Sequence, residues 1–146
     1  MSQENVEIWR GVVEDFLVGE SEASWEAWLA RARDVLDPEI EWDATEAPMP
    51  DIADVYHGQD EVLRWWHEWL SAWETMSFEY ELVEAGDHVV MLLNQRMRGR
   101  STGIEVPMGT YAHIATFRNG LVVHWKFYGS QTKALEAVGL TQTTSP

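Results

Sequence analysis

A chain of 146 residues, 45% apolar and 24% charged, has the size and composition of one globular domain and can fold without covalent staples. With no Cys it offers no disulfide, thiolate metal site, cysteine nucleophile or iron–sulfur cluster, and a formal charge of −15 disfavours nucleic acid and anionic membranes. No apolar run approaches the roughly 18 residues of a membrane span, and the acidic start is unlike a secretory leader, so a soluble cytoplasmic protein is expected.

The charge is unevenly placed. Residues 1–87 hold 23 acids against four arginines, a net −19, whereas residues 88–146 hold two acids against six bases, a net +4. Complementary fields favour packing of the halves on each other or on a second copy, and a homodimer is expected.

In chain order, Ser2 reads as an N-cap, and Val6, Trp9, Val13, Phe16 and Leu17 follow at helical spacing up to Gly19. Ser21 or Ser24 caps a second helix carrying Trp25, Trp28, Leu29 and Ala32, which runs on to Val35 and Leu36 before Asp37-Pro38 ends it. Glu39 to Ala44 alternates as a short strand, with Ile40, Trp42 and Ala44 on one side and Glu41 and Asp43 on the other. Thr45 to His57, with two prolines and no period, reads as a loop long enough to serve as a lid. Gln59-Asp60-Glu61 starts a third helix, with Val62, Trp65, Trp66, Trp69, Leu70 and Trp73 at i, i+3, i+4, i+7, i+8 and i+11.

Strand texture follows at Ser77–Glu84, Val89–Arg100, Ile104–Phe117 and Leu121–Tyr128, joined by turn chemistry at Ala85-Gly86-Asp87, Ser101-Thr102-Gly103 and Arg118-Asn119-Gly120. Thr132 to Val138 is a last helix closed by Gly139. One domain over 1–140 is expected, with 141–146 a frayed tail. Val89 to Leu93 is apolar on both faces and so needs two covers, one from the helices and one from a partner subunit. The fold class is α+β, a largely antiparallel sheet curled around helices.

The runs LDPEIEWDA, YHGQDEVLRWWHEWLSAW, AGDHVVMLLNQRMRGRSTG, AHIATFRNGLVVHWKFY and ALEAVGL, in that order, resemble the SnoaL-like branch of the nuclear transport factor 2-like (NTF2-like) superfamily. The resemblance implies a cone with three N-terminal helices in the concave face of the sheet, a pocket between them, and frequent homodimers through the sheet. Its members include polyketide cyclases, steroid isomerases, dehydratases, epoxide hydrolases and proteins that only bind or assemble.

In the isomerases of that superfamily an Asp at the end of the first strand is the base, and a strand acid four residues before the final Phe donates to the oxyanion. Asp43 and His113 stand at those places. The isomerases' first-helix tyrosine has no counterpart, and Ser130 stands where many SnoaL-like relatives carry an acid. Alternation also sets Asp43 against Trp42, so the dyad needs the strand end to twist.

Read from its own strand, His113 points inward with Tyr111, Ala115 and Phe117 if Phe117 faces the core, and an imidazole there is a candidate acid or base. The alternative is a core histidine bonded to a carbonyl or tyrosine. The expected pocket wall is Trp42, Tyr56, Trp65, Trp69, Met91, Tyr111 and Tyr128, with plain core as the competing role for the indoles. His124 and Lys126 take no face, because a one-residue slip at the Asn119-Gly120 turn reverses them.

Other patterns carry less. Gly99-Arg100-Ser101-Thr102-Gly103 spells G-x-S-x-G, but between two strands it is a hairpin turn rather than a nucleophile elbow. Arg96, Arg98 and Arg100 share one strand face and read as a solvated ladder without aromatic platforms. His67-Glu68 lacks a second His, the five histidines share no ligand spacing, and nucleotide fingerprints are missing, so no metal and no cofactor is expected. The functional expectation is a protein with a pocket for a small apolar molecule. It would act either as an isomerase- or cyclase-type enzyme moving a proton on a carbonyl compound or as a non-catalytic binding or structural dimer.

Overall fold

The computed structural model describes residues 2–18, 22–46, 54–71, 73–99 and 102–140. Helices α1 (Ser2–Val18) and α2 (Glu22–Val35) lead into strand β1 (Leu36–Asp43), β2 (Val55–His57) and helix α3 (Gln59–Ser71). The meander β3 (Trp73–Ala85), β4 (His88–Gly99), β5 (Glu105–Arg118) and β6 (Leu121–Tyr128) follows, and α4 (Gln131–Ala137) closes the fold. The six strands form one sheet in the order β2-β1-β6-β5-β4-β3. Only the β1–β6 pairing is parallel. This is the α+β cone expected from the sequence.

Period-two alternation gives the sheet two unlike faces. Ile40 and Trp42 of β1, Val89, Met91 and Leu93 of β4, Tyr111, Ala115 and Phe117 of β5, and Trp125 and Phe127 of β6 are buried together. They pack with Val6, Trp9, Val12 and Val13 of α1, Trp28 and Ala32 of α2, and Val62 and Leu63 of α3. The opposite face of β4 and β5 buries Val90, Ala112 and Ile114 beneath Ala134 and Leu135 of α4. Val90 and Ala112 are fully buried within this one chain. The strands apolar on both faces thus find their second cover in α4, which removes the need for a partner subunit there.

The last hairpin settles the open register. Asn119 and Gly120 both have positive φ (54° and 79°), a two-residue turn of the primed type whose twist matches the strands it joins. Arg118 pairs with Leu121 and Phe117 with Val122, but Thr116 pairs with His124, so β6 carries one extra residue. The bulge keeps both Val122 and Trp125 in the core and turns His124, Lys126 and Tyr128 to the outer face.

Several boundaries differ from the sequence reading. α3 stops at Ser71, and Trp73 opens β3 opposite Gly99, because β4 needs a partner of matching length and strand pairing overrides the helical period. Trp73 is therefore not part of the indole face of α3. β1 starts at Leu36 rather than Glu39, with Asp37-Pro38 in the irregular stretch between Leu36 and Glu41, where a missing N–H is tolerated. Val55–His57 is a strand paired to β1, not loop, and Ala44 N–H donates to Asp54 O at 2.8 Å. Ser24 lies inside α2, and Ser2 is the first residue of α1. The alternative cap Ser21, residues 47–53 of the expected lid and the tail 141–146 lie outside the described residues. No helix among the described residues is long and apolar enough to cross a membrane.

Candidate functional site

Between the concave face and the helices lies a cavity of about 50 Å³. Trp9, Val12 and Val13 of α1, Trp28 of α2 and Trp66 of α3 form its helical wall. Met91, Leu93 and Gln95 of β4, Tyr111 and His113 of β5, and Trp125 of β6 form its sheet wall. The indole N–H of Trp28 donates to Val12 O at 3.0 Å and ties α2 to α1. Nε1 of Trp9, Trp42 and Trp66 is buried without an acceptor among the described residues, so this region holds more N–H donors than acceptors.

His113 is the polar centre. It is 3% exposed, with its ring stacked on Trp42 (centroids 5.5 Å apart, 11° between planes) and edge-on to Phe127. Trp125 Nε1 donates to His113 Nδ1 at 3.0 Å. Burial lowers the imidazole pKa to about 3, so the ring is neutral near pH 7. A neutral ring that accepts at Nδ1 carries its proton on Nε2, and Nε2 has no partner among the described residues. His113 therefore presents an N–H, not a lone pair, to the cavity. Beside it the Tyr111 hydroxyl donates to Gln95 Oε1, and burial raises the Tyr111 pKa well beyond reach.

Of the residues expected in the pocket, Met91, Tyr111 and His113 line it. Trp42 is fully buried one layer deeper, between His113 and Trp65. Trp69 stacks on Trp65 at 5.8 Å and Tyr56 lies 6.1 Å from it, a half-buried aromatic layer beside the cavity rather than its wall. The helix does turn an indole to the cavity, but it is Trp66. Tyr128 is on the outer face, packed with the α4 cluster and carrying Lys126 Nζ 4.8 Å above its ring.

Asp43 is not with His113. It follows the inward Trp42 by one residue, so the pleat turns it outward, and the strand end does not twist enough to bring it back. Thr45 holds its carboxylate through N–H at 3.0 Å and Oγ1 at 2.6 Å, and Lys126 Nζ lies 3.7 Å away. Partial desolvation raises its pKa, but the Thr45 hydrogen bonds and the Lys126 charge outweigh this and leave it below the ordinary value. A carboxylate stabilised in that way is a weaker base than a free one.

The same outer face sets His57 Nδ1 and His124 Nε2 at 3.7 and 3.1 Å from Glu41, and Lys126 at 3.5 Å from Glu46. Among the described residues no group of acids and histidines has the geometry to hold a metal ion. Arg96 and Arg98 both reach Glu105 across their own hairpin, at 3.3 and 3.9 Å; Arg100 lies outside the described residues. Gly103 N–H closes on Gly99 O at 2.9 Å within that hairpin, which is no strand-to-helix elbow.

The cavity residues that sequence reasoning missed are Trp9, Trp28, Trp66, Trp125 and Gln95, with the aliphatic Val12, Val13 and Leu93. Gln95 left a signal, a lone amide at the core position of the series Met91, Leu93, Gln95, Met97. Trp125 left none while the β6 register was open.

Three comparisons bear on this geometry. The family model for the SnoaL-like domain matches residues 13–125. No match is found among curated proteins. Among solved structures the chain is similar to an NTF2-like protein of unknown function from Burkholderia pseudomallei, at 19% identity over 93% of this chain and 98% of that one, with a TM-score of 0.69. It is similar to TerC, co-crystallised with polyporic acid, at 16% identity over 92% and 98% of the two chains, with a TM-score of 0.68. A protein from Jannaschia sp. CCS1, provisionally named a SnoaL-like polyketide cyclase, aligns at 14% identity over 94% and 92%, with a TM-score of 0.65. At such identities the structural likenesses establish the fold and leave the chemistry to the site itself.

Proposed function

This chain belongs to the SnoaL-like domain family, and on that premise we propose that it binds a small apolar carbonyl compound in its cone, the carbonyl oxygen accepting from Nε2–H of His113. The observation that carries the reading is the neutral imidazole N–H, without a partner among the described residues, at the wall of a largely aromatic cavity. Apolar sites with one or two fixed polar groups are what small-molecule pockets look like, and a buried donor gains most from a guest that brings an acceptor.

Size narrows the guest. A cavity of about 50 Å³ is a fraction of the roughly 150 Å³ that accepts benzene, so compact molecules of a few heavy atoms fit without rearrangement. Proton abstraction is not supported as the chemistry. The described residues lining the cavity include no carboxylate, and His113 has its only lone pair engaged by Trp125. Asp43, the base expected from the isomerase resemblance, faces the other side of the sheet. Binding with polarisation of the carbonyl, rather than isomerase- or cyclase-type turnover, is what this wall can do.

Titration of the ¹⁵N-labelled protein with acetone, a ketone of four heavy atoms, tests the reading. Saturable shifts at the indole N–H signals of Trp9, Trp28, Trp66 and Trp125 are expected, weakened in His113→Gln. No saturable shift, or shifts confined to outer-face residues such as Lys126 and Tyr128, would contradict it.

A further inference from the structure

We infer that Trp125 is a positioning residue that sets the polarity of the cavity, because its indole N–H occupies Nδ1 of His113 and so obliges the imidazole to present a donor. The inference deepens the binding reading above and rests on it.

An isolated neutral imidazole has a choice of tautomer, and with it a choice between offering a ligand an N–H or a lone pair. Inside this cone the choice is removed. Trp125 Nε1 is a donor only, buried, 3.0 Å from Nδ1, and unable to act as an acceptor, so a proton on Nδ1 would face another proton. The indole is itself held in place. Its ring stacks on Trp66 at 5.2 Å and 13°, meets Trp9 edge-on at 5.0 Å, and lies 4.7 Å from Trp42. Rotating it away from His113 would break all three contacts.

The neighbouring acceptors are also engaged. Gln95 Oε1 receives the Tyr111 hydroxyl, and Val12 O receives Trp28. A guest whose oxygen only accepts, such as a ketone, is satisfied by His113 alone. A guest of the same shape bearing a hydroxyl brings an extra proton that the imidazole cannot accept. Only the second lone pairs of Gln95 Oε1 and Val12 O and the Tyr111 hydroxyl oxygen are left for it, so an alcohol anchored on Nε2–H has its own proton less well met. The site should therefore discriminate ketone from alcohol, with Trp125 as the determinant although it is not the group that bonds the guest.

The test compares acetone with 2-propanol on wild type, Trp125→Phe and His113→Gln, with ¹⁵N spectra of the imidazole recorded alongside. Wild type is expected to show His113 as a single tautomer, Nε2 protonated, and to favour the ketone by about tenfold, the scale of one net hydrogen bond. Trp125→Phe frees Nδ1, so the spectrum should show both tautomers and the preference should fall to within about twofold. His113→Gln, whose amide offers a donor and an acceptor together, should lose the preference as well and decides the matter if Trp125→Phe does not fold. Nδ1 protonated in wild type, or a tenfold preference retained in either variant, would overturn the inference. Equal binding of both probes to wild type would overturn it while leaving the binding reading intact. Failure of both probes to bind would remove the binding reading, and this inference with it.

Discussion

The two faces of one pair of strands make the most instructive comparison in the molecule. On the inner side β1 and β6 contribute Trp42, Trp125 and Phe127, packed around a neutral histidine. On the outer side the alternate residues of the same strands are Glu41, Asp43, His124 and Lys126, with His124 Nε2 3.1 Å from Glu41 and Lys126 Nζ 3.7 Å from Asp43 where water reaches them. One residue along the chain separates a buried aromatic interior from a partly exposed charge cluster. The inner face holds a polar group whose protonation is suppressed by burial, while on the outer face Asp43 and Lys126 favour each other's charged forms. The dyad expected from the isomerase resemblance took one residue from each face, and the pleat of β1 keeps them apart.

The strongest way to break the comparison is on the inner side. Trp42 is fully buried and touches Trp65, Trp66, Trp125, Phe127 and His113. Truncation of Trp42 to Ala is expected to cost about 3–5 kcal/mol in urea denaturation, the range for large aromatic deletions in a core.

Acid attacks the same face through His113. Its folded pKa is lowered to about 3 against about 6.5 in the unfolded chain, so the unfolded state binds the extra proton first. The stabilisation is fully present above about pH 6.5 and is lost as pH falls toward 3, at up to about 1.4 kcal/mol per pH unit. Stability measured against pH in wild type and His113→Gln should differ in slope by about one proton over that window. Equal slopes would mean that His113 is solvated.

How much of this was legible follows from the same alternation. The strands of the meander, the Asn119-Gly120 turn and an inward His113 can all be read off the sequence, because period two and turn chemistry are local. The bulge in β6 is not local. It is visible only once Thr116 is paired with His124, and it alone decides that Trp125 joins the cavity while Tyr128 leaves it. The end of α3 was hidden for a similar reason. Trp73 continues a helical period by spacing, and only the length of β4 claims it for a strand. Asp43 was the opposite case, since its alternation against Trp42 was readable and argued correctly against the family analogy that placed it in the pocket.

A milder perturbation strikes the turn that sets both faces. Gly120 has φ 79° with open space around its Cβ position, so Gly120→Ala costs only backbone strain, about 1–2 kcal/mol. Thermal unfolding is expected to register that loss with guest binding retained, since the bulge and not the turn residue orients Trp125. The smallest effect belongs to the outer face. Asp43→Asn removes a partly exposed ion pair with Lys126 while keeping an oxygen for Thr45, and should change stability by less than about 1 kcal/mol. It should leave acetone affinity unchanged, and a tenfold loss would show that Asp43 reaches the cavity after all.

The most direct measurement of the central claim is a crystal structure of the protein soaked with acetone. The account predicts the ketone among Trp9, Trp66 and Met91, with its oxygen about 2.7–3.2 Å from Nε2 of His113 and Nδ1 still facing Trp125 Nε1. Density for the ketone at the Asp43 and Lys126 face, or a ketone in the cavity with its oxygen turned away from His113, would contradict it.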